Sequence, residues 1–302
     1  MKVNLKQLES FVWVADLGSF RAAAERLNTT QPNISARITA LESNLGVVLM
    51  QRDAGSVRLT SKGSDLLARA RDVLSAAECI IEATEDKTLI EGSLRVGVTE
   101  MVAHTWLNEF LDHFKQQYPN VLLELTVDLA VNLESELSQA NLDLSFQSGP
   151  LTRSEDEGIP IGDFPMVWVC SKRSSHAKSL ILQNEDLAKQ PVLTHAKNTI
   201  AYQELVKHIA SLSLNDVTLV PSSNLMIAVE MVKDDYGVGL LLEPLVEQYL
   251  KQGKLIKLGC SWKPKELAFF AKYNKHRASK VVEQAALMGQ HFSLKASAKY
   301  SS

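Results

Sequence analysis

Cysteine is scarce in this sequence, and the few cysteines do not cluster. Cys79, Cys170 and Cys260 are the three cysteines among 302 residues, and none belongs to a C-x-x-C pair. Their spacing argues against a zinc site or a local redox couple. Because there is no disulfide framework either, a reducing compartment is the default expectation.

Long apolar runs and the usual signatures of catalysis are also missing. No run reaches membrane-spanning length, and the first residues lead into an amphipathic helix pattern instead of a secretory signal. The sequence contains no H-E-x-x-H, no G-x-S-x-G and no phosphate-loop motif. We therefore expect a cytoplasmic protein without membrane contact, and we expect no catalytic residues, no metal and no cofactor.

A strong excess of one charge is absent as well. The net charge of the whole chain is −3, which gives no indication of a nucleic-acid partner. The average conceals an asymmetry, since residues 1–63 carry 8 Lys and Arg against 5 Asp and Glu, whereas residues 91–302 carry 21 against 24. A basic head on an acidic body is compatible with one end that faces DNA.

The hydrophobic spacing at the start of the chain predicts three helices. Gly18 can end the first, the second runs from Phe20 to Leu27, and the third opens at Gln31-Pro32 and ends at Gly46. Proline is tolerated in a first helical turn because its missing N–H has no partner there. Two short helices around a tight turn give the helix-turn-helix layout.

The first turn of the third helix is the predicted DNA-reading element, because this turn enters the major groove in such motifs. Amide side chains pair with adenine and guanidinium groups pair with guanine, each contributing about 1–3 kcal/mol of discrimination. The outward side chains are expected to be Gln31, Asn33, Ser35 and Arg37, with Thr29 and Thr30 placed for phosphate. An ordinary polar surface helix shows the same pattern, so the pattern alone leaves DNA binding open.

Two short apolar segments after this helix predict a wing. Residues 47–49 and 57–59 bracket a turn with Gly55 at its tip, which is typical of a small β-hairpin. Three basic residues are placed to reach phosphates or the minor groove: Arg52, Arg58 and Lys62.

Several short motifs follow one another in a fixed order through residues 5–63. They are Gly18-Ser19-Phe20, Ala22-Ala23-Ala24, Thr30-Gln31-Pro32-x-x-Ser35, Leu41-Glu42-x-x-Leu45-Gly46 and Leu59-Thr60-x-x-Gly63. In order and spacing they resemble the DNA-binding head of LysR-type transcriptional regulators. The resemblance implies a sequence-specific DNA-binding regulator of transcription, in which Gln31, Pro32, Ser35 and the next residue lie in the major groove. That next residue is Ala36, where many relatives carry a longer polar side chain, and Arg37 is the candidate to replace the contact.

A heptad pattern follows from Ser61. Residues seven apart are apolar in two series, Leu66, Val73 and Ile80, and Leu67, Leu74 and Ile81. This indicates a long helix with a coiled-coil-like seam, although a helix packed on its own domain would also carry an apolar stripe. We favour a homodimer, because a twofold axis would place two heads on an interrupted inverted repeat of double-stranded DNA. A homotetramer and a contact with RNA polymerase are further expectations.

From residue 91 onwards, strands alternate with helices, which implies parallel sheets. The first series opens with a strand at Leu94–Val98 and a helix over about Met101–Tyr118, and a second series opens near Met166. A late strand, Glu266–Lys272, and a final helix, Ser279–Phe292, are expected to return to the first half. This part resembles, more loosely, the two-lobed effector domain of the same family, which has the fold of periplasmic binding proteins.

The expected fold class is α/β, with three parts. A winged helix-turn-helix covers residues 1–60, a linker and dimerisation helix covers 61–90, and an effector-binding domain covers 91–302. Within the last part, lobe I takes about 91–163 and 269–302, and lobe II takes about 164–268.

A cleft between two such lobes is the expected site for a small-molecule effector, because open α/β sheets bind ligands at the carboxyl ends of their strands. Two junctions, Thr99-Glu100-Met101 and Ser222-Ser223-Asn224, place hydroxyls beside helix N-termini, which suits an anion or simply caps the helix. With those added by the resemblance, the candidate effector-binding residues are Thr99, Glu100, Met101, Asn132, Gln147, Thr194, His195, Ser222 and Ser223. Arginine is scarce here and Asp128 lies at a strand end, so a neutral or cationic effector is an alternative to a carboxylate.

Two other functions stay open at this point. A small-molecule binding protein or an enzyme of the α/β class, without a DNA function, would account for residues 91–302 and leave residues 1–63 unexplained. A DNA-binding protein without an effector is the third possibility, and a cleft filled by its own side chains would support it.

Overall fold

The architecture comes from a computed structural model, which describes residues 3–53, 56–82, 87–151, 154–212, 214 and 216–300. None of the helices within these residues combines the length and the apolar character that crossing a membrane requires.

The first elements form a small head of three helices and a hairpin. They are α1 (Leu5–Leu17), α2 (Phe20–Arg26), α3 (Gln31–Leu45), β1 (Met50–Asp53) and β2 (Ser56–Leu59). Gly18 and Gly46 end α1 and α3 in the left-handed conformation, with φ of 61° and 69°. The predicted helix-turn-helix and hairpin are therefore confirmed. The hairpin begins at Met50 and not at Val47, since the strand pairing starts with Met50 opposite Leu59.

The next helix, α4 (Ser61–Glu82), begins inside the head and then leaves it. Ala70 is only 2% exposed and belongs to the head core. Further along, two seam residues, Val73 and Ile80, are 44% and 71% exposed. The Ile81 side chain lies outside the described part. A long helix with an exposed apolar stripe is present, and pairing through that stripe stays a prediction.

The remaining elements build two sheets with helices around them. In chain order they are β3 (Gly92–Val98), α5 (Glu100–His104), α6 (Leu107–Gln117), β4 (Val121–Val127), α7 (Ala130–Ser138), β5 (Leu144–Ser148), β6 (Asp156–Phe164), β7 (Met166–Ser171), α8 (His176–Ser179), β8 (Ile181–Leu182), β9 (Val192–His195), α9 (Ile200–Ser211), β10 (Leu219–Ser222), α10 (Leu225–Lys233), β11 (Val238–Leu242), α11 (Glu243–Lys251), β12 (Leu255–Cys260), β13 (Leu267–Asn274) and α12 (Lys280–Ser297).

Each sheet, with its helices, forms one lobe. The sheet of lobe I has the strand order β4-β3-β5-β13-β6, and the sheet of lobe II has the order β10-β9-β11-β7-β12-β8. The predicted return of the last strand and helix to the first half is confirmed, since β13 lies between β5 and β6. A continuous apolar core runs through both lobes and includes Phe110, Phe146, Val169 and Leu240.

Two expectations about these sheets are corrected. The sheets are mixed, because β13 runs antiparallel to β5 and β6, and β7 runs antiparallel to β11 and β12. The helix expected over residues 101–118 is broken into α5 and α6. At the break, Thr105 Oγ1 donates to the Met101 carbonyl at 2.7 Å, and the Trp106 ring packs edge-on against Phe146 with centroids 5.0 Å apart. Burying the Trp106 ring redirects the chain between the two helices.

The head contacts lobe I of its own chain through Arg26 at the end of α2. Its Nη2 lies 2.7 Å from Asp143 Oδ1, and its Nη1 donates to Ser93 Oγ at 3.0 Å. The two charged side chains are 8% and 9% exposed, and the guanidinium lies 4.5 Å from the centre of the Trp13 ring. The head is thus attached to the two-lobed part by a buried ion pair as well as by α4.

Candidate functional site

The amino end of α3 is the exposed part of the helix-turn-helix. Gln31 and Pro32 are exposed, and Thr30 stands at the N-cap without a side-chain bond to the helix. Asn33 Nδ2 donates to Thr29 Oγ1 at 3.2 Å, which joins the turn to the helix. Because the apolar face of α3 is buried in the head core, this polar end faces outward, where it can meet base edges and phosphates.

Arg37 does not lie where the sequence pattern placed it. Its Nη1 donates to Ser10 Oγ on α1 at 3.3 Å, and the residue is half-buried. Its charge acts within the head: burial raises the pKa of Glu9, and the Arg37 charge opposes that rise. The expectation that Arg37 projects outward to replace a missing base contact is therefore corrected. Ser35 is also half-buried, whereas Ala36 is exposed.

The hairpin that follows the helix-turn-helix along the chain carries basic residues. β1 and β2 pair antiparallel, with Arg52 opposite Val57. Arg58 on β2 and Lys62 at the start of α4 are exposed. The Arg52 side chain and Gly55 lie outside the described residues.

A cavity of about 1010 Å³ lies between lobe I and lobe II. Its volume lies at the upper end of the range found for small-molecule sites. The walls come from the segments after β3, β4 and β5 in lobe I and after β9 and β10 in lobe II. The predicted effector residues that line it are Thr99, Glu100, Met101, Asn132, His195, Ser222 and Ser223.

Glu100, the first residue of α5, reaches across the cleft and caps α10 of lobe II. Its Oε2 accepts a bond from the Leu225 N–H at 2.5 Å, and its Oε1 accepts one from the Met226 N–H at 3.1 Å. The next amide, that of Ile227, donates to the Asn224 side chain at 2.9 Å. The positive end of α10 is therefore occupied by a carboxylate of the chain itself.

This arrangement corrects the anion site expected beside Ser222 and Ser223. The residue that caps α10 is Asn224, and the Ser222 hydroxyl is used within the turn, donating to the Asn224 carbonyl at 2.6 Å. Ser223 is exposed on the cavity wall. The other junction, at Thr99, opens a helix of only 5 residues, which is too short for a strong helix dipole.

Two buried polar atoms on the cavity wall have no partner among the described residues: Thr99 Oγ1 and His195 Nε2. Thr99 stands at the N-cap of α5 but makes no side-chain cap bond. His195 is 5% exposed, and burial lowers the pKa of its imidazole to about 4. His195 is therefore neutral at pH 7, and neither of the two buried atoms is satisfied by the described residues.

Two other predicted residues, Gln147 and Thr194, are buried in the strands and do not line the cavity. Gln147 Nε2 donates to Glu134 Oε2 at 2.6 Å, and Glu134 in turn lines the cavity. Thr194 is covered completely because it lies inside the sheet of lobe II, one residue before the strand end. The next residue, His195, does line the cavity, because neighbouring residues of a strand face opposite sides.

The sequence reasoning missed Lys272, which lines the cavity and is 2% exposed. Its Nζ donates to Glu134 Oε2 at 3.0 Å and to the Pro150 carbonyl at 2.7 Å. A single lysine between the buried residues Ala271 and Tyr273 in an apolar strand was the available signal. Such a residue is seldom fully buried unless it is paired.

A DNA-reading head joined to a two-lobed binding domain defines a ligand-responsive transcription regulator. Residues 5–64 match the model described as "Bacterial regulatory helix-turn-helix protein, lysR family", and residues 87–287 match the "LysR substrate binding domain". The chain belongs to the LysR family of transcriptional regulators, and it is a DNA-binding regulator with an effector-binding domain.

Curated relatives agree with this assignment, and solved structures agree with the fold. The chain is 28% identical over 254 residues to the HTH-type transcriptional regulator GltR of Bacillus subtilis, with 84% of each chain covered. Among structures, a full-length OxyR variant from Pseudomonas aeruginosa has a TM-score of 0.65 at 20% identity, covering 97% of this chain and 98% of that one. LysG from Corynebacterium glutamicum, with bound effector Arg, has a TM-score of 0.61 at 17% identity, covering 97% and 99%. At these identities the structures show the fold alone.

Proposed function

We propose that this regulator reads DNA through the amino end of α3 and the wing, and that a small molecule bound between the lobes controls it. The observation that supports the first half is the outward-facing end of α3, with Thr29, Thr30, Gln31, Pro32 and Asn33. The wing residues Arg52, Arg58 and Lys62 would bind the phosphate backbone, which carries no sequence information but fixes the register.

The effector half of the proposal is supported by the cavity and by the unpartnered polar atoms on its wall. LysG contains a bound arginine effector, so this fold can hold a small molecule. We propose Thr99, Met101, Asn132, His195 and Ser223 as direct contacts. Gln147 and Thr194 would act from behind the wall, and Glu100 and Ser222 through α10.

The proposed working unit is a homodimer or homotetramer in the bacterial cytoplasm, where its DNA is. The exposed apolar stripe of α4 supports pairing of two chains. In each chain the head would take residues 1–60, the linker 61–90 and the effector-binding domain 91–302. Two heads would bind an interrupted inverted repeat, and tilting of the lobes by the effector would change the angle between them. That change is what RNA polymerase would sense, and no catalytic step is involved.

A binding titration with DNA from upstream of the protein's own gene tests the head. Gln31→Ala should lose about 1–3 kcal/mol of specific binding, roughly 5- to 150-fold, because one bidentate base contact disappears. Gln203→Ala removes an exposed glutamine of lobe II and serves as the matched control. Lys62→Ala should weaken all sequences alike and reduce the slope of log K against log salt by about 0.9. If Gln31→Ala leaves affinity and sequence preference unchanged, the placement of α3 in the groove is wrong.

A further inference from the structure

The charges on the cavity wall are strongly unbalanced. Within the described residues, the ionisable groups that line it are Glu100, Asp128, Glu134, Lys272, His104 and His195. No arginine is among these lining residues. Three carboxylates therefore face one amine, and the neutral His195 ring adds no positive charge. The remaining group, His104, has its Nε2 3.9 Å from Glu100 Oε1, so it lies beside one of these carboxylates.

Two groups that could attract an anion, the Lys272 amine and the amino end of α10, are already engaged. Lys272 is held by Glu134 and by a backbone carbonyl, as described above. The positive end of α10 is held by both oxygens of Glu100. At either of these two groups, an anionic effector would have to displace a carboxylate that is tethered to lobe I, and it would approach two further carboxylates while doing so.

Asp128, by contrast, has no cationic partner in the described part of the chain. Its Oδ1 accepts the Leu129 N–H at 2.7 Å and the Asn132 amide at 2.8 Å, and the residue is exposed on the wall of the cavity. These two bonds fix the carboxylate in place and leave its charge uncompensated. A pre-oriented carboxylate of this kind is a good partner for an ammonium or guanidinium group.

His195 supplies an independent indication that the cavity is built for a ligand. The residue is 5% exposed and lines the cavity, and its buried Nε2 has no hydrogen-bond partner among the described residues. A buried polar atom without a partner is costly unless something binds it. A neutral imidazole nitrogen can accept a bond from an N–H donor.

We propose that the cleft binds a cationic effector, an amine or a guanidinium compound, whose charged nitrogen meets Asp128, and that Glu100 excludes anionic effectors by occupying the amino end of α10. This inference rests on the proposed function of the cleft and adds the chemical class of the effector. It also gives Glu100 a second role, since the same two bonds hold lobe I against lobe II.

Isothermal titration of the full-length protein with three five-carbon probes tests the proposal. The probes are 1,5-diaminopentane, glutarate and 1,5-pentanediol, which share a length and differ in charge. The diamine should bind at least about tenfold more tightly than glutarate, because a charge-assisted hydrogen bond contributes roughly 1.5–3 kcal/mol. Asp128→Asn removes the charge from the proposed bond to the ligand nitrogen, so diamine affinity should fall by about the same factor. Equal or tighter binding of glutarate, or no binding of the diamine, overturns the proposal.

Substituting Glu100 gives the more decisive experiment, because its removal should create binding of an anion. Glu100→Ala frees the amino end of α10, and glutarate affinity should rise at least about tenfold over wild type. Glu100→Gln keeps the shape and loses the charge, and it should give a smaller rise in the same direction if the alanine variant folds poorly. Asp112→Ala removes an exposed carboxylate of α6 away from the cavity wall, and it should change nothing. Unchanged glutarate binding in both Glu100 variants contradicts the proposal.

The DNA titration separates this inference from the proposed function. A preparation that binds DNA in a Gln31-dependent way but prefers glutarate remains a regulator with the wrong effector class assigned. A preparation that binds the diamine but no DNA supports the effector class and refutes the head.

Discussion

The buried pair between Arg26 and Asp143 predicts a strong, non-additive effect on stability. Asp143→Ala would leave the Arg26 guanidinium buried with one remaining side-chain hydrogen bond, to Ser93. Breaking a buried pair by removing one partner costs about 3–5 kcal/mol, because the other charge stays in a poor environment. Arg26→Met should cost a similar amount, since Asp143 would keep only the Arg95 N–H at 2.9 Å.

Replacing both partners should be far milder than either single change. Burial raises the pKa of Asp143 and lowers the pKa of Arg26, which shows that the surroundings disfavour both charges. The attraction between the two charges therefore offsets only part of the cost of dehydrating them. Arg26→Met combined with Asp143→Leu should restore most of the lost stability, as apolar replacements of buried pairs often do.

Urea denaturation of the full chain, run as a double-mutant cycle, measures this coupling. The control is the ion pair between Arg21 and Glu25 on α2, whose side chains are 83% and 65% exposed. Its removal should have little effect, because water already solvates both groups. If the double variant of the buried pair loses the sum of the two single losses, the reasoning about dehydration is refuted.

Two further predictions concern stability. Gly63→Ala should lower the urea midpoint of the head, because an added Cβ would lie 2.1 Å from the Leu49 carbonyl oxygen. This overlap outweighs the roughly 1 kcal/mol by which alanine is favoured over glycine in a helix. Ser64→Ala, at the exposed neighbouring position, should be neutral, and a Gly63→Ala variant more stable than the wild type would contradict this packing. Burial lowers the pKa of His195 from 6.5 to about 4, so the folded state holds the ring neutral at a pH where the unfolded state takes up a proton. The contribution of His195 to the free energy of unfolding is therefore complete above pH 6.5 and is lost as pH falls towards 4, with a total loss of up to about 3 kcal/mol. His195→Gln should flatten that pH dependence in urea titrations and His291→Gln should not; equal slopes in all three proteins would argue against a buried neutral ring.

The head could be predicted from the sequence because its determinants are local. Ser19 caps α2 by accepting a bond from the Ala22 N–H, Gly18 ends α1 in the left-handed conformation, and Pro32 fits the first turn of α3. None of these features depends on the rest of the fold. Arg37 shows where this reasoning fails. Helical spacing places it on the outer face, but a long side chain can fold back to a partner on another helix, here Ser10, 27 residues away.

The cleft could be predicted only in outline. Strand ends and a hydroxyl pattern located Thr99 and Ser223 on its wall. The contact that occupies the amino end of α10 joins Glu100 to the Leu225 amide, 125 residues later in the chain. No periodic pattern in the sequence encodes such a pair. Lys272 was missed for the same reason, because its partner Glu134 lies 138 residues away.

The position of β13 in lobe I has a consequence for how the protein is made. This strand lies between β5 and β6, yet the ribosome delivers it only after all of lobe II. During synthesis the head emerges before either lobe and can fold before them, whereas lobe I waits with a gap between β5 and β6 for more than a hundred residues. A nascent chain can therefore carry a finished DNA-binding head before it has a sensor to control it. Because β13 also brings Lys272, the effector cavity is among the last parts of the molecule to form.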